Sequence, residues 1–227
     1  MVQPALACPA SRLIQLQSRS AAGLQPFRRL LAIREPQGVV FHCSDGQQPR
    51  DTRHAAERLR IMQGYHRAPE RWVTVTDAKG QPVLGRGGKP KRRNEGGRGW
   101  LEVGYSWAFD DFGNVWELRG WGVVGSHTAA DPDGRGSLNF RAHGAVYLGD
   151  GERPTGAAIE AGAWLVEEHE RRFGPGFVVG HCEVSSAGKT CPGRGVQERL
   201  VLPLGRPLMP RPGGSTASAA GVPAPPR

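Results

Sequence analysis

The sequence predicts an α/β fold, and three features of its 227 residues carry that expectation. Short apolar runs rich in Val, Phe and Trp recur at β-like spacing, as in Gly38-Val39-Val40-Phe41 and Trp72-Val73-Thr74-Val75-Thr76. Between such runs stand two segments, 52–66 and 157–173, whose apolar residues return at helical spacing. A breaker closes each of them, Pro69 after the first and Gly174-Pro175-Gly176 after the second, so the chain leaves the helix there.

Residues 1–36 mix Pro, Ser, Gln and Arg, with one weak helical patch over 27–33, and are expected to form an N-terminal extension. The globular part spans 37–204 and opens with the buried strand at Gly38-Val39-Val40-Phe41. Thr52 is the expected cap of the first helix, whose Ala55, Leu59, Met62 and His66 share one face. The strand at 72–76 leads into the turn Asp77-Ala78-Lys79-Gly80. Residues 67–98 form a basic insertion, and its Gly-rich part, 85–98, reads as a solvated loop or, more sharply, as an arm that contacts polyanions. Two strands, 104–109 and 114–118, flank the turn Asp110-Asp111-Phe112-Gly113. A further strand covers 145–148, and Phe177-Val178-Val179 returns to the sheet after the second helix. The tail, 205–227, has almost nothing apolar to bury and is expected to be disordered. No internal repeat stands out.

Composition narrows the partners. The net charge of +9 draws the surface towards polyanions such as nucleic acid, anionic membranes or acidic wall polymers. No run reaches the ~18 apolar residues of a membrane span. The first residues lack the basic and apolar regions of a signal peptide, so cytoplasmic synthesis is expected. No helix-turn-helix or aromatic-and-basic RNA pattern supports specific nucleic-acid binding.

Chemistry concentrates in two short segments. Val39-Val40-Phe41-His42-Cys43-Ser44-Asp45 places His42 at the end of an apolar run. Gly180-His181-Cys182-Glu183-Val184, followed by Lys189-Thr190-Cys191-Pro192-Gly193, adds His181 and Cys191. Two imidazoles and one thiolate suit Zn²⁺, and three protein ligands leave a fourth tetrahedral position for water, the pattern of a catalytic site. Cys43 and Cys182 each follow a proposed ligand, and strand alternation predicts that they point away from it. Trp107, Trp116 and Trp121 are expected in the core or at a groove wall, and His54, His66, His143 and His169 in core or surface roles.

The order of these pieces resembles the peptidoglycan recognition protein and type 2 N-acetylmuramoyl-L-alanine amidase family, in particular its phage endolysin branch, over residues 38–200. The motifs that carry the resemblance are His42-Cys43-Ser44, Tyr65-His66, Gly99-Trp100-Leu101-Glu102-Val103-Gly104-Tyr105, Gly113-Asn114-Val115-Trp116-Glu117, Gly125-Ser126-His127-Thr128 and the stretch 181–193. The resemblance implies a mixed central sheet flanked by helices, with a zinc cleft. It implies His42, His181 and Cys191 as zinc ligands, Tyr105 and Lys189 as catalytic groups, and His127 as a residue lining the substrate cleft. The implied reaction is hydrolysis of the amide between the lactyl group of N-acetylmuramic acid and L-alanine. The implied protein is a monomeric lysin held in the cytoplasm until host lysis and then acting on the cell wall, with peptidoglycan, and anionic wall polymers besides, as partners. A peptidoglycan-binding module without catalysis is the alternative, against which the presence of Cys191 speaks. The chain departs from the family pattern in the length of the 67–98 insertion, in Arg141-Ala142-His143-Gly144 where an Asn-Ser-x-Gly segment is usual, and in extra residues around Ser186-Ala187-Gly188.

Overall fold

The computed structural model describes residues 14–26, 30–185 and 188–208. Six strands form one mixed sheet in the order β1 (Gln15–Gln17), β6 (Asn114–Glu117), β5 (Trp107–Phe109), β7 (Ala142–Tyr147), β2 (Gly38–Cys43) and β8 (Phe177–Gly180). Only β5 and β6 run antiparallel, as the tight turn between them requires; the other neighbours are parallel. That turn is built by Asp110, whose carboxylate accepts from the Phe112 and Asn114 backbone and from the Trp116 indole.

Alternation along the strands sorts residues to the two faces. On one face Val39, Phe41, Ala145 and Tyr147 pack against Ala158, Ala161 and Leu165 of α2 (Gly156–Phe173) and against Leu200 and Val201. Those last two belong to a C-terminal helical run made of α4 (Arg194–Val196), a π-helical turn (Gln197–Val201) and α5 (Leu202–Leu204). On the other face Ala108, Trp116 and Val146 meet Ala55, Ala56 and Leu59 of α1 (Thr52–Arg67). The α1 cap is Asp51, not Thr52: its carboxylate accepts from the His54 N–H at 2.7 Å.

The N-terminal extension contributes to the core. β1 pairs with β6, Ala22 and Leu24 are buried under α1, and Arg19 reaches the buried Glu102 carboxylate at 3.1 Å. The helical patch expected over 27–33 is not helical in its described part, 30–33, where Ala32 instead bridges Val123 in extended conformation; residues 27–29 lie outside the described residues. Of the hydrophobic residues there Ile33 is buried and Leu31 is exposed, a division that a weakly periodic pattern does not reveal. At the other end Arg206 bridges Val178, while 209–227 lie outside the described residues.

The 67–98 insertion is folded. β3 (Trp72–Thr74) pairs with β4 (Arg92–Asn94), and beyond them the chain makes two successive eight-residue hairpins. Their sequences, Val75-Thr76-Asp77-Ala78-Lys79-Gly80-Gln81-Pro82 and Val83-Leu84-Gly85-Arg86-Gly87-Gly88-Lys89-Pro90, are a tandem repeat, contrary to the expectation of none; it is inconspicuous because only Val, Gly and Pro are identical at matching positions. Their hydrogen bonds correspond one to one: Asp77 N–H to Gln81 C=O matches Gly85 N–H to Lys89 C=O, and Gly80 N–H to Asp77 C=O matches Gly88 N–H to Gly85 C=O. A third set closes a ring, with Val83 N–H donating to Val75, Lys91 N–H to Val83, and Val75 N–H back to Lys91, at 2.8, 2.8 and 2.9 Å.

The root of this arm finishes α1. The last turn of a helix leaves carbonyls without intrahelical donors. Here Arg98, Trp100 and Gly99 donate their N–H groups to the carbonyls of Tyr65, His66 and Ala68. The approach is close enough that a Cβ on Gly97 would lie 2.2 Å from the Tyr65 oxygen.

Candidate metal centre and catalytic cleft

β2, β7 and β8 are parallel, so their carboxyl ends meet at one edge of the sheet, where ligands of open α/β sheets commonly sit. His42 is the fifth residue of β2 and is buried on the α1 face. His181 follows β8 directly and opens the one-turn helix α3 (His181–Val184). Cys191 is drawn alongside by the Cys182 N–H, which donates to the Cys191 carbonyl at 2.7 Å. One ligand atom each of His42, His181 and Cys191 lies within 4.8 Å of the others, and these three are the potential metal cluster among the described residues.

The donor set fits a zinc ion. With bonds of about 2.0–2.1 Å to nitrogen and 2.3 Å to sulfur, a tetrahedral ion spans an N···S edge of about 3.6 Å. The His42 Nδ1 to Cys191 Sγ separation is 3.7 Å. Both imidazoles are held neutral, as ligation requires. Burial comes first in lowering His42, with His127 and His181 adding to it. His181 is lowered by burial and then by the Lys189 cation.

The His42 tautomer follows from its neighbours. His127 Nε2 lies 3.2 Å from the Ala142 carbonyl, which only accepts, so that nitrogen carries the proton. Neutral His127 then accepts at Nδ1, 3.1 Å from His42 Nε2. His42 therefore donates from Nε2 and turns a bare Nδ1 towards Cys191, the arrangement by which a second residue orients a metal ligand. Burial holds His127 neutral, at about 4. Gly125 and Gly144 make the room, for a Cβ on either would come within 2.6 Å of the His127 ring. His127 was expected to line the substrate cleft; the fold buries it to 8% exposure behind His42.

Tyr105 stands on the open side of His42, with ring centroids 5.1 Å apart. Burial above all raises its hydroxyl, which therefore stays protonated over the physiological range. Lys189 is exposed on the loop before Cys191, close enough to His181 to lower it. A cleft of about 380 Å³ adjoins Tyr105 and is lined by Arg58, Tyr65, His66 and Arg98 among others. A larger hollow of about 480 Å³, beside Gln37, Phe177 and Leu208, holds none of these groups.

Two residues without an assigned role prove to belong to the site. His66 accepts the Gly104 N–H at 3.1 Å and stacks on Trp100, so the end of α1 fixes the chain just before Tyr105. Its place after Tyr65, at the end of the apolar face of α1, was the only signal. Cys43, expected to point away, shares a thiol hydrogen bond with Cys191 and donates its N–H to Cys191 Sγ at 3.3 Å. Cys191 crosses the end of the sheet, so strand alternation does not separate the two. The shared bond, and burial after it, raises the Cys191 thiol. Cys43 and Cys182 do not pair; Cys43, Cys182 and Cys191 are all free.

Comparison with known proteins agrees with this architecture. The Peptidoglycan-recognition protein SC2 of Drosophila melanogaster and that of Drosophila simulans are each 31% identical over 107 residues, 45% of this chain, and the match spans 53% of their own length, about half. Among solved structures, Drosophila PGRP-LB superposes with a TM-score of 0.60 at 22% identity, covering 84% of this chain and 92% of that one. Peptidoglycan recognition protein-LE, solved in complex with tracheal cytotoxin, a monomeric diaminopimelic acid-type peptidoglycan, gives 0.59 at 22% identity, with 80% and 89% covered. These structures share the mixed-sheet α/β fold. Residues 33–194, from before β2 to the start of α4, match the family described as N-acetylmuramoyl-L-alanine amidase (Amidase_2), and the chain belongs to that family.

Proposed function

We propose that the chain is a zinc-dependent N-acetylmuramoyl-L-alanine amidase that cuts the amide between the muramic acid lactyl group and L-alanine of peptidoglycan, in the role of a phage or prophage lysin stored in the cytoplasm until host lysis. The observation that carries this reading is the set of His42, His181 and Cys191, with His42 held in the tautomer that frees Nδ1. The family match and the peptidoglycan fragment bound by the similar recognition protein-LE support the substrate class.

When bound by these three residues, zinc supplies Lewis acidity and lowers the pKa of a coordinated water towards about 7. Tyr105 keeps its proton and donates it as a hydrogen bond to the oxygen on which negative charge grows. Lys189, on the exposed loop, offers a second donor there and a proton for the departing amine. His127 holds the proton on His42 Nε2, so the ligand nitrogen stays available throughout. The cleft beside Tyr105 offers the peptide stem two guanidinium groups, Arg58 and Arg98.

The test is the appearance of new L-alanine amino termini on purified peptidoglycan. They are expected with the zinc-loaded protein and absent after chelation or with Cys191→Ser. A folded, zinc-loaded protein that binds the wall and releases no termini would leave the non-catalytic recognition module, the reading that the names of the relatives favour.

A further inference from the structure

Residues 75–93 carry six cations, Lys79, Arg86, Lys89, Lys91, Arg92 and Arg93, against the single carboxylate of Asp77, a net +5 of the chain's +9. Every one of the six is exposed. Arg93 is bound to Glu95, but among the described residues no ion pair engages the other five. Charges on a disordered loop would spread apart. These are instead mounted on two hairpins closed by the three-way hydrogen-bond ring, with Val75 and Val83 half-buried and the Lys91 stem laid over Gly85 at 3.3 Å from where its Cβ would be. Mutual repulsion of five fixed cations is tolerated at a cost that an anionic partner would relieve.

The position of the arm limits the partner. Its root donates to the carbonyls of α1, and Arg98 lies over Tyr65 and Trp100, at 5.7 and 5.8 Å from their ring centroids, in the wall of the cleft that holds Tyr105. The root of the arm therefore borders the cleft, and the hairpins extend from that root. The stretch 75–93 contains no aromatic residue, and the one exposed aromatic at its base, Trp72, has its indole N–H held by the Glu70 carboxylate, so the hairpins lack the row of stacking platforms that single-stranded nucleic-acid sites generally use. A polymer of phosphodiesters without stacking bases, attached to the substrate itself, satisfies both conditions.

We propose that residues 75–93 form a preformed cationic platform for the phosphodiester-linked anionic polymers of cell walls, engaging them beside the peptidoglycan strand in the cleft. This rests on peptidoglycan being the substrate. The platform adds a second attachment to the same wall, and its contribution is electrostatic, so it weakens as salt rises.

The test is cosedimentation of the full chain with walls rich in phosphodiester polymer, either untreated or stripped with hydrofluoric acid, and of a variant carrying Lys79→Gln, Arg86→Gln, Lys89→Gln and Arg92→Gln. On untreated walls the variant is expected to bind at least ~10-fold more weakly and with a shallower salt dependence. On stripped walls the two should bind alike and release L-alanine termini at the same rate, which also shows that the variant is folded. A charge-preserving version, Lys79→Arg with Lys89→Arg, should behave as the parent. Equal binding of parent and Gln variant to untreated walls would overturn the proposal. So would tighter binding of the parent to duplex DNA than to the isolated wall polymer at the same salt, an outcome that assigns the arm to nucleic acid. A binding difference on untreated walls with no cleavage of stripped walls by either protein would keep the platform and reject the amidase.

Discussion

At the scale of single residues, the site works by fixing protons. His127 decides which nitrogen of His42 is bare, and it does so from behind the imidazole ring. His127→Phe should therefore lower zinc affinity about 10–100-fold, the usual effect of losing a partner that orients a ligand. His127→Gln, whose amide can accept from His42 and donate to Ala142, should recover much of the loss. Competition with a chelating dye measures both, and unchanged affinity in the Phe variant would refute the tautomer argument. Tyr105→Phe removes the raised hydroxyl while keeping the ring beside His42. It is expected to slow turnover about 10²–10³-fold with zinc content unchanged, as the loss of one oxyanion donor does. A variant that cleaves at the parental rate would exclude Tyr105 from the chemistry.

At the scale of elements, the joint between α1 and the arm matters most. Gly97 sits where three carbonyls at the end of α1 meet the returning chain, and a Cβ there would fall 2.2 and 2.4 Å from the Tyr65 and Ala68 oxygens. Gly97→Ala should cost about 1–3 kcal/mol in urea unfolding, the range for inserted atoms with nowhere to go. Because His66 and Trp100 share this joint, catalytic rate should fall along with stability; a variant of parental stability would show that the joint yields. The helices were legible in the sequence because Leu59 or Leu165 marks a repeating apolar face and Pro69 or Gly174 marks an end. The arm was not, since its order comes from backbone hydrogen bonds between Val75, Val83 and Lys91, which leave no hydrophobic period. The clustering of His42, His181 and Cys191 was legible from segment order. The place of His127 was not, because it depends on Gly125 and Gly144 vacating space, a property of packing.

At the scale of the whole molecule, the α2 face buries a second histidine pair, on the side of the sheet opposite His42. His143 accepts from Gly122 N–H, its Nδ1 lies 3.2 Å from His169 Nδ1, and His169 Nε2 has no partner. Burial chiefly lowers both, to about 3 and about 4, well under the ordinary imidazole value. The folded state thus binds fewer protons than the unfolded chain below pH ~6.5, so stability is complete above that pH and declines as pH falls towards 3. At pH 5 each histidine should cost about 2 kcal/mol. His169→Leu should remove about 2 kcal/mol of the decline between pH 7 and 5, read from urea midpoints, while His143 and the likewise lowered His42, His66 and His127 carry the rest, and an unchanged slope would place the acid sensitivity elsewhere. His42 and Cys191 stand 149 positions apart in a chain of 227, at opposite ends of the family domain. In the language of polymers, an ion shared by the two would tie off a loop that encloses most of the molecule, much as a long-range crosslink does, and such ties restrict the unfolded chain more than short ones. At free zinc ~1,000 times its dissociation constant the gain is about 4 kcal/mol. Stripping the ion should then slacken the entire chain, lowering Tm and hastening proteolysis well away from the cleft, and an unchanged Tm in chelator would mean that the sheet holds its ends together unaided.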